Sequence, residues 1–321
     1  MGTSIKLKSR HYEDRDLVAV CDLLNLCAAI DNLDDYYTVE QLKQRFGMPS
    51  LDRFNDQRIW DDANARLVGF AQVWSLPSDH TLDCYFYFRV HPAMRGTGIE
   101  EELIDWAVQR TQEVGRQHDL KAVLMGRIFE HESYSRGIFE RHGFEIVRYG
   151  FRMARPLSEP IPEPTFPEGY KLRHAEGEDD IQPWVDCYNQ SFIDHWLFHP
   201  ETVDERRHRL QRPGYRPEQD LVAVAPDGSF AAFCLWYLDE VGNALQGKSD
   251  GWIGLLGTRR GHRGVGLGRA MLLAGLRCLK DEGADIAKLG VDAENPTGAL
   301  GLYEKVGFVK VATRISYHKD V

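Results

Sequence analysis

Apolar residues recur at helical spacing directly after two Arg-Gly segments, one in each half of the chain. The residues concerned are Leu103, Ile104, Ala107 and Val114 in the first half and Leu272, Leu273, Leu276 and Leu279 in the second. An apolar residue every three or four positions predicts an amphipathic helix with one face on a core. We therefore expect two long helices, and we assign these side chains to packing rather than to chemistry.

The shorter apolar runs follow one order twice. Each half has a basic and apolar strand, an acidic turn with a helix, further apolar strands, and a late helix that ends in Gly-Phe before a last strand. The early strands and helices are predicted at residues 5–10, 14–30 and 66–74 in the first half and at 170–173, 180–192, 221–224 and 230–238 in the second. Strands mixed with flanking helices predict an α/β (α+β) unit in each half.

The spacing of matching motifs indicates a duplication. Gly143-Phe144 recurs 164 positions later as Gly307-Phe308, and the loop at Arg95 recurs 168 positions later at Arg263. Two unrelated domains would rarely keep the same order and spacing.

A proline-rich segment separates the two halves. Residues 155–169 contain five of the 14 prolines and show no helical or strand periodicity, which is typical of an extended linker. We predict an N-terminal domain at residues 1–154, a Pro-rich linker at 155–169 and a C-terminal domain at 170–321.

The length of the chain agrees with this division, and its net charge limits the classes of partner it can bind. At 321 residues the chain has the length of two domains of about 150 residues each. Its hydrophobic fraction of 43% and charged fraction of 27% are those of a globular protein. The formal net charge of −10 argues against a nucleic-acid partner, since neutralising phosphates needs a basic surface, and it suits a cationic substrate such as an amine.

The six cysteines are scattered without a Cys-x-x-Cys pair, and the cysteines and histidines show no metal-ligand spacing. Reduced, mostly buried thiols are therefore expected. The polar start of the sequence lacks the apolar run of a signal peptide, and no stretch approaches the ~18 apolar residues of a membrane span. We expect a cytoplasmic protein with no metal, no nucleic-acid partner and no membrane segment. Its oligomeric state stays open.

The most informative segment joins an apolar strand to the second long helix. Arg263 lies at its start, and Gly264, Gly266 and Gly268 follow. Glycines let the backbone approach a bulky ligand, and a helix start offers unpaired N–H groups with a partial positive charge. This combination predicts a phosphate or pyrophosphate site. A dinucleotide-binding Gly-x-Gly-x-x-Gly is excluded because Arg269 stands at its last position, and no Gly-Lys-Ser/Thr ends the turn as in a P-loop.

This loop and a second motif resemble the GNAT superfamily of N-acetyltransferases. The superfamily's pyrophosphate motif, Arg/Gln-x-x-Gly-x-Gly/Ala, is matched by Arg263, Gly266 and Gly268. Its later motif is matched by Asn295 and by residues 302–308, Leu-Tyr-Glu-Lys-Val-Gly-Phe. The resemblance implies two tandem GNAT-type domains, each with a mixed central sheet flanked by helices. The two-domain length is also similar to that of the tandem enzymes typified by mycothiol synthase, a likeness that concerns architecture and implies nothing about the substrate.

The resemblance also implies how acetyl-CoA, the cosubstrate, binds to the C-terminal half. Its pantetheine arm would lie beside the strand that ends at residues 256–258, and its pyrophosphate on the amides of residues 264–269. Asn295 would face the pantetheine, and Tyr303 would be the general acid that protonates the departing thiolate. The implied cofactor-binding residues are Leu256, Gly257, Thr258, Arg263, Gly264, Val265, Gly266, Leu267, Gly268, Arg269 and Asn295.

The general base is not assigned by the sequence. An amine with an unperturbed pKa near ~10.4 must lose a proton before it attacks a thioester. Many members of the superfamily carry a carboxylate on the strand before the loop, whereas residues 252–258 read Trp-Ile-Gly-Leu-Leu-Gly-Thr. Asp250, Asp292, Glu294 and His195 remain candidates, and His195 is favoured because its segment would line the acceptor pocket.

The N-terminal half carries a degenerate copy of both motifs. Arg-Gly-Thr-Gly is kept at residues 95–98, but Glu100 stands at the position of Gly268 and Phe139 at that of Tyr303. A carboxylate at a helix start complements the helix dipole and would repel a pyrophosphate. We expect this half to be structural or to frame the acceptor site.

The leading hypothesis is therefore an acetyl-CoA-dependent N-acetyltransferase that acts on an amine of a small molecule or peptide. A non-catalytic acyl-CoA sensor or partner-binding protein is the alternative, which the missing strand carboxylate favours and Tyr303 disfavours. Transfer to a hydroxyl, or of a longer acyl group, is a third hypothesis, since Trp196, Trp236 and Trp252 could shape such a pocket.

Overall fold

The structure is a computed structural model that describes residues 7–78 and 81–321. Its contacts divide the chain into two units. The first unit consists of the chain up to Arg148 together with Arg314–Val321, and the second consists of Tyr149–Thr313. Residues 5 and 6 of the first strand predicted from the sequence lie outside the described residues.

The elements follow the same order in both halves of the sequence. In the first half they are β1 (Lys8–His11), α1 (Leu17–Ile30), α2 (Val39–Phe46), β2 (Gln57–Asp61), β3 (Leu67–Pro77), β4 (Thr81–Val90), α3 (Ile99–His118), β5 (Lys121–Phe129), α4 (Ser133–Arg141) and β6 (Glu145–Pro156). In the second half they are β7 (Lys171–His174), α5 (Ile181–Phe192), α6 (Val203–Leu210), β8 (Asp220–Val224), β9 (Phe230–Leu238), α7 (Glu240–Gln246), β10 (Asp250–Thr258), α8 (Leu267–Asp281), β11 (Ile286–Asp292), α9 (Ala299–Lys305) and β12 (Val309–Asp320).

Both units contain a mixed sheet with the same internal order. In the first unit the order is β1-β2-β3-β4-β5 followed by the Arg314–Asp320 part of β12. In the second unit it is β7-β8-β9-β10-β11 followed by the Gly150–Pro156 part of β6. The β4–β5 and β10–β11 pairs are parallel and the other pairs within each unit are antiparallel. The predicted α/β fold with mixed central sheets and flanking helices is confirmed.

The closing strand of each unit comes from the other half of the sequence. β6 is antiparallel to β11, and β12 is antiparallel to β5. The chain therefore enters the second unit at Tyr149 and returns to the first at Arg314. These boundaries differ from the sequence-based domains at 1–154 and 170–321. The difference arises because duplicated closing strands are equivalent, so either one can complete either sheet, as in domain swapping.

The Pro-rich segment is part of the second unit. Beyond Pro156 it is extended without helix or strand, as its prolines predict, but it packs on the core through Leu157, Ile161 and Phe166. Arg155 is buried, and its Nε donates to the Val306 carbonyl at 2.7 Å. The segment therefore belongs to the fold of the second unit rather than standing apart as a free spacer.

Two apolar layers enclose the second unit's sheet. Successive side chains of a strand point to opposite faces, so Cys234 and Trp236 of β9 lie in the core with α8, whereas Phe233 lies in the core with α5. The first unit has the same arrangement, with α3 on one face and α1 on the other. Each sheet therefore presents one face to a long helix and the other to the helix pair near the start of its half.

The duplication is visible in local hydrogen bonds as well. Thr38 Oγ1 accepts from the Gln41 amide at 3.1 Å where α2 begins, and Thr202 Oγ1 accepts from the Glu205 amide at 3.2 Å where α6 begins. In both cases the residue three positions later bonds back to the threonine amide, which is a capping box. Both halves therefore satisfy the unpaired backbone N–H groups at the start of this helix with the same hydrogen bonds.

The strand exchange predicts which fragment of the chain can fold. A fragment of Tyr149–Thr313 contains the whole second unit with its closing strand, whereas residues 170–321 lack β6 and the buried Arg155 and Leu157. We expect the first fragment to unfold cooperatively and to bind CoA. The second, in which β12 can take the place of β6 but Arg155 and Leu157 are missing, should be less stable. Circular dichroism melts and CoA titration of both fragments measure this. A 170–321 fragment as stable as Tyr149–Thr313 would show that β12 replaces β6 fully and that Arg155 and Leu157 are dispensable.

Candidate active site

A break in strand pairing opens the middle of the second unit's sheet. β10 and β11 pair only over Asp250–Trp252, opposite Ile286–Lys288. Beyond Trp252 the edge of β10 that faces β11 is not paired with it. A bulge between Ile253 and Leu255 also shifts the register of β10 against β9. Backbone groups that have lost a ladder partner are available to a ligand.

Glycines allow the close approaches around this opening. A Cβ on Gly254, the bulged residue, would lie 2.7 Å from Cε1 of Tyr237, and a Cβ on Gly257 would lie 2.4 Å from Cζ of Phe233. On the facing strand, a Cβ on Gly290 would meet nothing within 4 Å. The glycines of β10 therefore let two aromatic rings of β9 pack directly on its backbone, and no protein atom lies near the missing side chain of Gly290.

The loop after β10 and the first turn of α8 form a row of backbone amides. Gly264 and Gly266 have φ angles of +79° and +88°, which side chains other than glycine rarely adopt. Gly266 is the N-cap of α8 and no side chain caps the helix, so the first N–H groups of α8 have no intrahelical acceptor. This row, together with the positive end of the helix dipole, fits the pyrophosphate of an acyl-CoA.

The individual residues of the loop contribute in different ways. The side chain of Leu267 is buried in the core, so only its amide can reach a ligand. Gly264, Val265, Gly266 and Arg269 are exposed. Leu256 packs against the core on the α8 face, which leaves its backbone, rather than its side chain, at the opening. The sequence-predicted residues of this segment therefore lie together and act mainly through their backbone.

Gly268 brings three elements into contact. A Cβ at this position would lie 3.1 Å from Oγ1 of Thr258 and 3.9 Å from Cδ2 of Leu302. The start of α8 thus lies against the end of β10 and against the α9 residue that precedes Tyr303. Because Gly268 has no side chain, the first amides of α8 can lie close to the end of β10.

Arg263 is bound by protein groups. Its Nε donates to the Thr258 carbonyl at 3.0 Å, its Nη2 to the Ser191 carbonyl at 2.8 Å, and its Nη1 to Asp194 at 3.0 Å. Because these contacts use all three guanidinium nitrogens, Arg263 holds the loop against the end of α5. Arg269, by contrast, makes no ion pair or side-chain hydrogen bond among the described residues. Its exposed charge is therefore available to an anionic ligand.

Sequence reasoning missed Asp194 and Ser191 as the partners of Arg263. Asp194 also accepts from Arg260, through Nε at 3.1 Å and through Nη2. The hydrogen bonds from Arg260 and then from Arg263 lower the pKa of Asp194 to about 2. A signal for this pair existed, since each half of the sequence places an aspartate just after its first long helix.

Asn295 and His195 lie beside each other although 100 positions separate them. Asn295 Oδ1 accepts from the amide and the hydroxyl of Thr297, which fixes the orientation of its side-chain amide. Its Nδ2 therefore points at Nε2 of His195, at the long distance of 3.4 Å. Because an amide NH₂ only donates, Nε2 is the acceptor and carries the ring's lone pair.

Burial lowers the pKa of His195 below its usual value near 6.5. Asp292 raises this pKa, Arg263 lowers it and Asp194 raises it, each to a smaller extent than burial. His195 is therefore neutral at physiological pH and able to accept a proton. The favoured base candidate therefore lies beside Asn295, which follows β11.

The other base candidates are placed less favourably. Asp250 stands at the first position of β10 and is ion-paired with Lys288 at 2.6 Å. It is four residues from Gly254 in the direction away from the loop, which at ~3.3 Å per residue is about 13 Å. Asp292 Oδ1 caps the turn after β11 by accepting from the Glu294 amide, and Glu294 is exposed. His195 remains the candidate that combines a position next to Asn295 with a neutral ring.

Tyr303 lies in α9, buried in the core on the α8 face, with its ring 6.0 Å from that of Phe308. Its hydroxyl makes no side-chain hydrogen bond within the part of the chain that the structure describes. Burial raises the pKa of this hydroxyl, so Tyr303 keeps its proton at neutral pH. Burial similarly raises the pKa of the neighbouring thiol of Cys234, and a CoA thiolate that forms in such surroundings would also be made more basic.

The first unit keeps the equivalent strands paired over a longer stretch. β4 and β5 pair over six positions, from Thr81 to Phe86, where β10 and β11 pair over three. Phe139, at the position of Tyr303, packs on Gly126 in the core with α3, since a Cβ on Gly126 would lie 2.3 Å from its ring. The first unit therefore leaves fewer unpaired backbone groups between these strands and lacks the hydroxyl of Tyr303.

The carboxylate of Glu100 occupies the anion position of the first unit. Its Oε1 accepts from the Gly96 amide at 2.6 Å and from the Tyr134 hydroxyl at 2.7 Å. Burial alone would raise the pKa of Glu100, but these hydrogen bonds and those of nearby backbone amides lower it overall. The loop amides that would bind a pyrophosphate are therefore already bound to a fixed negative charge.

Comparison with known proteins agrees with the geometry of the site. The sequence profile of the acetyltransferase (GNAT) family matches residues 17–144 and 178–308. A mycothiol acetyltransferase of Thermobispora bispora is 31% identical over 309 residues, 95% of this chain and 96% of the relative. A mycothiol acetyltransferase of Acidothermus cellulolyticus is 27% identical over 97% of this chain and 95% of the relative.

Solved structures of two-domain proteins show the same fold. A GCN5-related N-acetyltransferase from Sphaerobacter thermophilus superposes with a TM-score of 0.70 at 25% identity, over 98% of this chain and 95% of that one. A tandem GNAT protein from the clavulanic acid biosynthesis pathway gives a TM-score of 0.72 at 17% identity, over 98% of both chains. The second likeness concerns the fold alone.

The family profile covers most of the chain, and a relative of nearly the same extent is 31% identical. The chain therefore belongs to the acetyltransferase (GNAT) family. It is a tandem N-acetyltransferase, and its cosubstrate is an acyl-CoA. Within residues 7–78 and 81–321, no helix is long and apolar enough to cross a membrane.

The pyrophosphate site is tested by copying the glutamate of the first unit into the second. Gly268→Glu should let a carboxylate fold onto the loop amides, as Glu100 does onto Gly96. Two like charges ~4 Å apart at an effective dielectric of ~20 repel by about 4 kcal/mol, and a third of that weakens binding roughly tenfold. Calorimetric titration with acetyl-CoA should give one site per chain for the wild type and at least tenfold weaker binding for the variant.

Gly268→Ala is the matched control, since its Cβ presses on Thr258 Oγ1 at 3.1 Å without adding charge. Its affinity should stay within a few-fold of the wild type. Unchanged affinity in the folded Gly268→Glu variant, or two equal sites in the wild type, would contradict a single pyrophosphate site on this loop.

Proposed function

We propose that the second unit transfers the acetyl group of acetyl-CoA to the amine of a small molecule. The observation that carries this proposal is the opening between β10 and β11, which leads directly to an uncapped, glycine-rich helix start. In the first unit the equivalent strands stay paired over six positions, and the Gly96 amide of the loop is bound to Glu100. We therefore assign one active site to the chain.

The unpaired edge of β10 would orient the thioester. In this proposal, amides 264–269 and Arg269 hold the pyrophosphate, and the pantetheine arm runs along residues 254–258 towards the bulge. An N–H group at the bulge would donate to the thioester carbonyl, where negative charge develops as the amine attacks. Asn295 lies on the other side of the opening, where its Nδ2 can contact the arm.

Proton transfer is assigned to two residues on opposite faces of the sheet. His195, neutral and with its lone pair on Nε2, would take a proton from the incoming ammonium group, directly or through one water. Tyr303, which keeps its proton at neutral pH, would donate to the thiolate of CoA as the carbon–sulfur bond breaks. The second proton of the amine, released as the intermediate collapses to the amide, returns through solvent to the Tyr303 phenolate, and His195 passes the first proton to solvent. The products of this scheme are the N-acetyl amide, free CoA and one proton.

The acceptor class is inferred from the relatives. Two of them, which match almost all of this chain, are named mycothiol acetyltransferases. We infer a small-molecule amine as the acceptor, and the amine form of mycothiol, which lacks the acetyl group, is the first compound to test. A peptide amine is the alternative within the same chemistry. Cytoplasmic location belongs to this proposal and is supported by six free cysteines.

The function is tested by measuring CoA release with a panel of amines that includes this compound, aminosugars, cysteine derivatives and short peptides. Acetylation of a small-molecule amine supports the proposal, and transfer to peptides alone would contradict its acceptor class.

With the best acceptor, kcat/KM should rise with pH through the lowered pKa of His195, below about 6.5. His195→Gln should remove this acidic limb and lower turnover by about 10²-fold. An unchanged pH profile would exclude His195 as the base.

Tyr303→Phe tests the acid. Phe139 shows that a phenylalanine ring is accommodated at the equivalent position of the first unit, so the variant should fold and bind acetyl-CoA with nearly wild-type affinity. Turnover should fall by about 10²-fold or more if the hydroxyl protonates the thiolate. The measurement is kcat, with acetyl-CoA affinity measured on the same preparation. Wild-type kcat would make Tyr303 a packing residue only.

A further inference from the structure

Asp194 lies between the cofactor loop and the proposed base. Arg260 and Arg263 of the loop both donate to its carboxylate, and the next residue is His195. Arg263 also reaches the carbonyl of Thr258, the last residue of β10, while His195 reaches Asn295, which follows β11. One series of contacts therefore spans the opening from the end of one strand to the far side of the other.

The first unit contains the same clamp without a base. Arg95 binds Asp31 through both terminal nitrogens, at 2.8 and 2.7 Å, and its Nε donates to the Val90 carbonyl at 3.4 Å. Val90 is the last residue of β4, as Thr258 is of β10. This clamp persists although Glu100 occupies the loop, so the clamp itself does not require a cofactor. The residue after Asp31 is Asn32, which cannot take up a proton.

The comparison separates two roles. The arginine–aspartate clamp is a structural feature common to both units, and the histidine that follows the aspartate belongs to the second unit alone. We propose that Asp194 is a positioning residue for acetyl transfer, which holds His195 at a fixed distance from the cofactor loop and thereby couples acyl-CoA binding to the placement of the base. This inference rests on the proposed function, in which His195 is the base.

The coupling has a physical route through the shared carboxylate. The side chain of Arg260 is half exposed and bound to Asp194 alone among the described side chains, whereas Arg263 is also held by two carbonyls. A pyrophosphate on the loop attracts Arg260 and draws it away from Asp194. Asp194 then binds Arg263 alone, which changes the charge that faces His195 when the cofactor is present.

The groups that face His195 come from four elements. Asp194 belongs to its own segment, Arg263 to the loop after β10, Asp292 to the end of β11, and the aromatic ring of Phe192 to α5, with ring centroids 4.6 Å apart. The amide of Asn295 is the remaining polar neighbour. Neutralising Asp194 removes one of the two negative charges near the ring, and the positive charge of Arg263 then has no carboxylate beside it. Protonation of His195 therefore becomes less favourable.

The experiment follows the His195 ring by NMR of histidine-labelled, full-length protein, with CoA as the added ligand. In the wild type the His195 resonances should titrate below pH 6.5 and shift on addition of CoA. In Asp194→Asn the His195 pKa should fall further, by roughly half a pH unit for one partly screened charge. The shift induced by CoA should shrink to less than half, and CoA should bind at least as tightly as to the wild type, because Arg260 no longer has to leave a carboxylate.

Asp31→Asn is the matched control, since it breaks the equivalent clamp where no base follows. It should lower the melting temperature about as much as Asp194→Asn does, while the His195 pKa and its response to CoA stay at their wild-type values. Asp194→Glu, which keeps the charge, should restore most of the CoA response. If Asp194→Asn is folded and His195 titrates and responds to CoA as in the wild type, the positioning role is wrong.

This outcome is distinguishable from failure of the proposed function. If His195→Gln keeps the wild-type pH profile of turnover, His195 is not the base, and the positioning role for catalysis fails with it. If His195→Gln removes the acidic limb while Asp194→Asn leaves both the limb and the NMR response unchanged, His195 is the base and Asp194 only stabilises the fold.

Discussion

The loss of pairing between β10 and β11 beyond Trp252 is the constraint on which the second unit's chemistry depends. A strand in the middle of a sheet normally satisfies its backbone groups on both sides, and each unsatisfied buried group costs about 1–3 kcal/mol. Here β10 keeps its full antiparallel ladder with β9 up to Thr258, so its other edge can be given up to a ligand. The bulge at Gly254, the bare strand at Gly290 and the glycine loop before α8 all serve this one opening.

The two units show how a duplicated site can be lost without loss of the fold. Glu100 supplies a carboxylate where the other unit leaves amides for a phosphate, and Phe139 supplies a ring without the hydroxyl of Tyr303. The first change replaces part of a ligand by part of the protein, and both changes stabilise the unit, through hydrogen bonds in one case and aromatic packing in the other. The retained clamp of Arg95 and Asp31 shows which part of the motif is architectural.

Periodicity and repeated motifs were sufficient to predict the class of fold, the duplication and the grouping of residues 256–269 at a helix start. They were not sufficient for the unit boundaries, because β6 and β12 are equivalent and the choice of partner is made by hydrogen bonds over a long sequence distance. α2 and α6 were overlooked although Thr38 and Thr202 begin capping boxes, since few apolar residues mark these short helices. The contacts of Arg263 with Ser191 and Asp194 could not be inferred from its own motif, because these acceptors lie about 70 positions away.

The strand exchange also bears on how the chain is synthesised. Ribosomes add roughly 5–20 residues per second, and domains of a nascent chain generally fold as they emerge. The sheet of the first unit lacks its closing strand until Arg314–Asp320 has been made, after the whole of the second unit. Until then β5 lacks the strand that covers its edge in the folded protein, and an uncovered strand edge is a site for misassociation. All strands of the second unit are therefore complete before the first unit receives its closing strand.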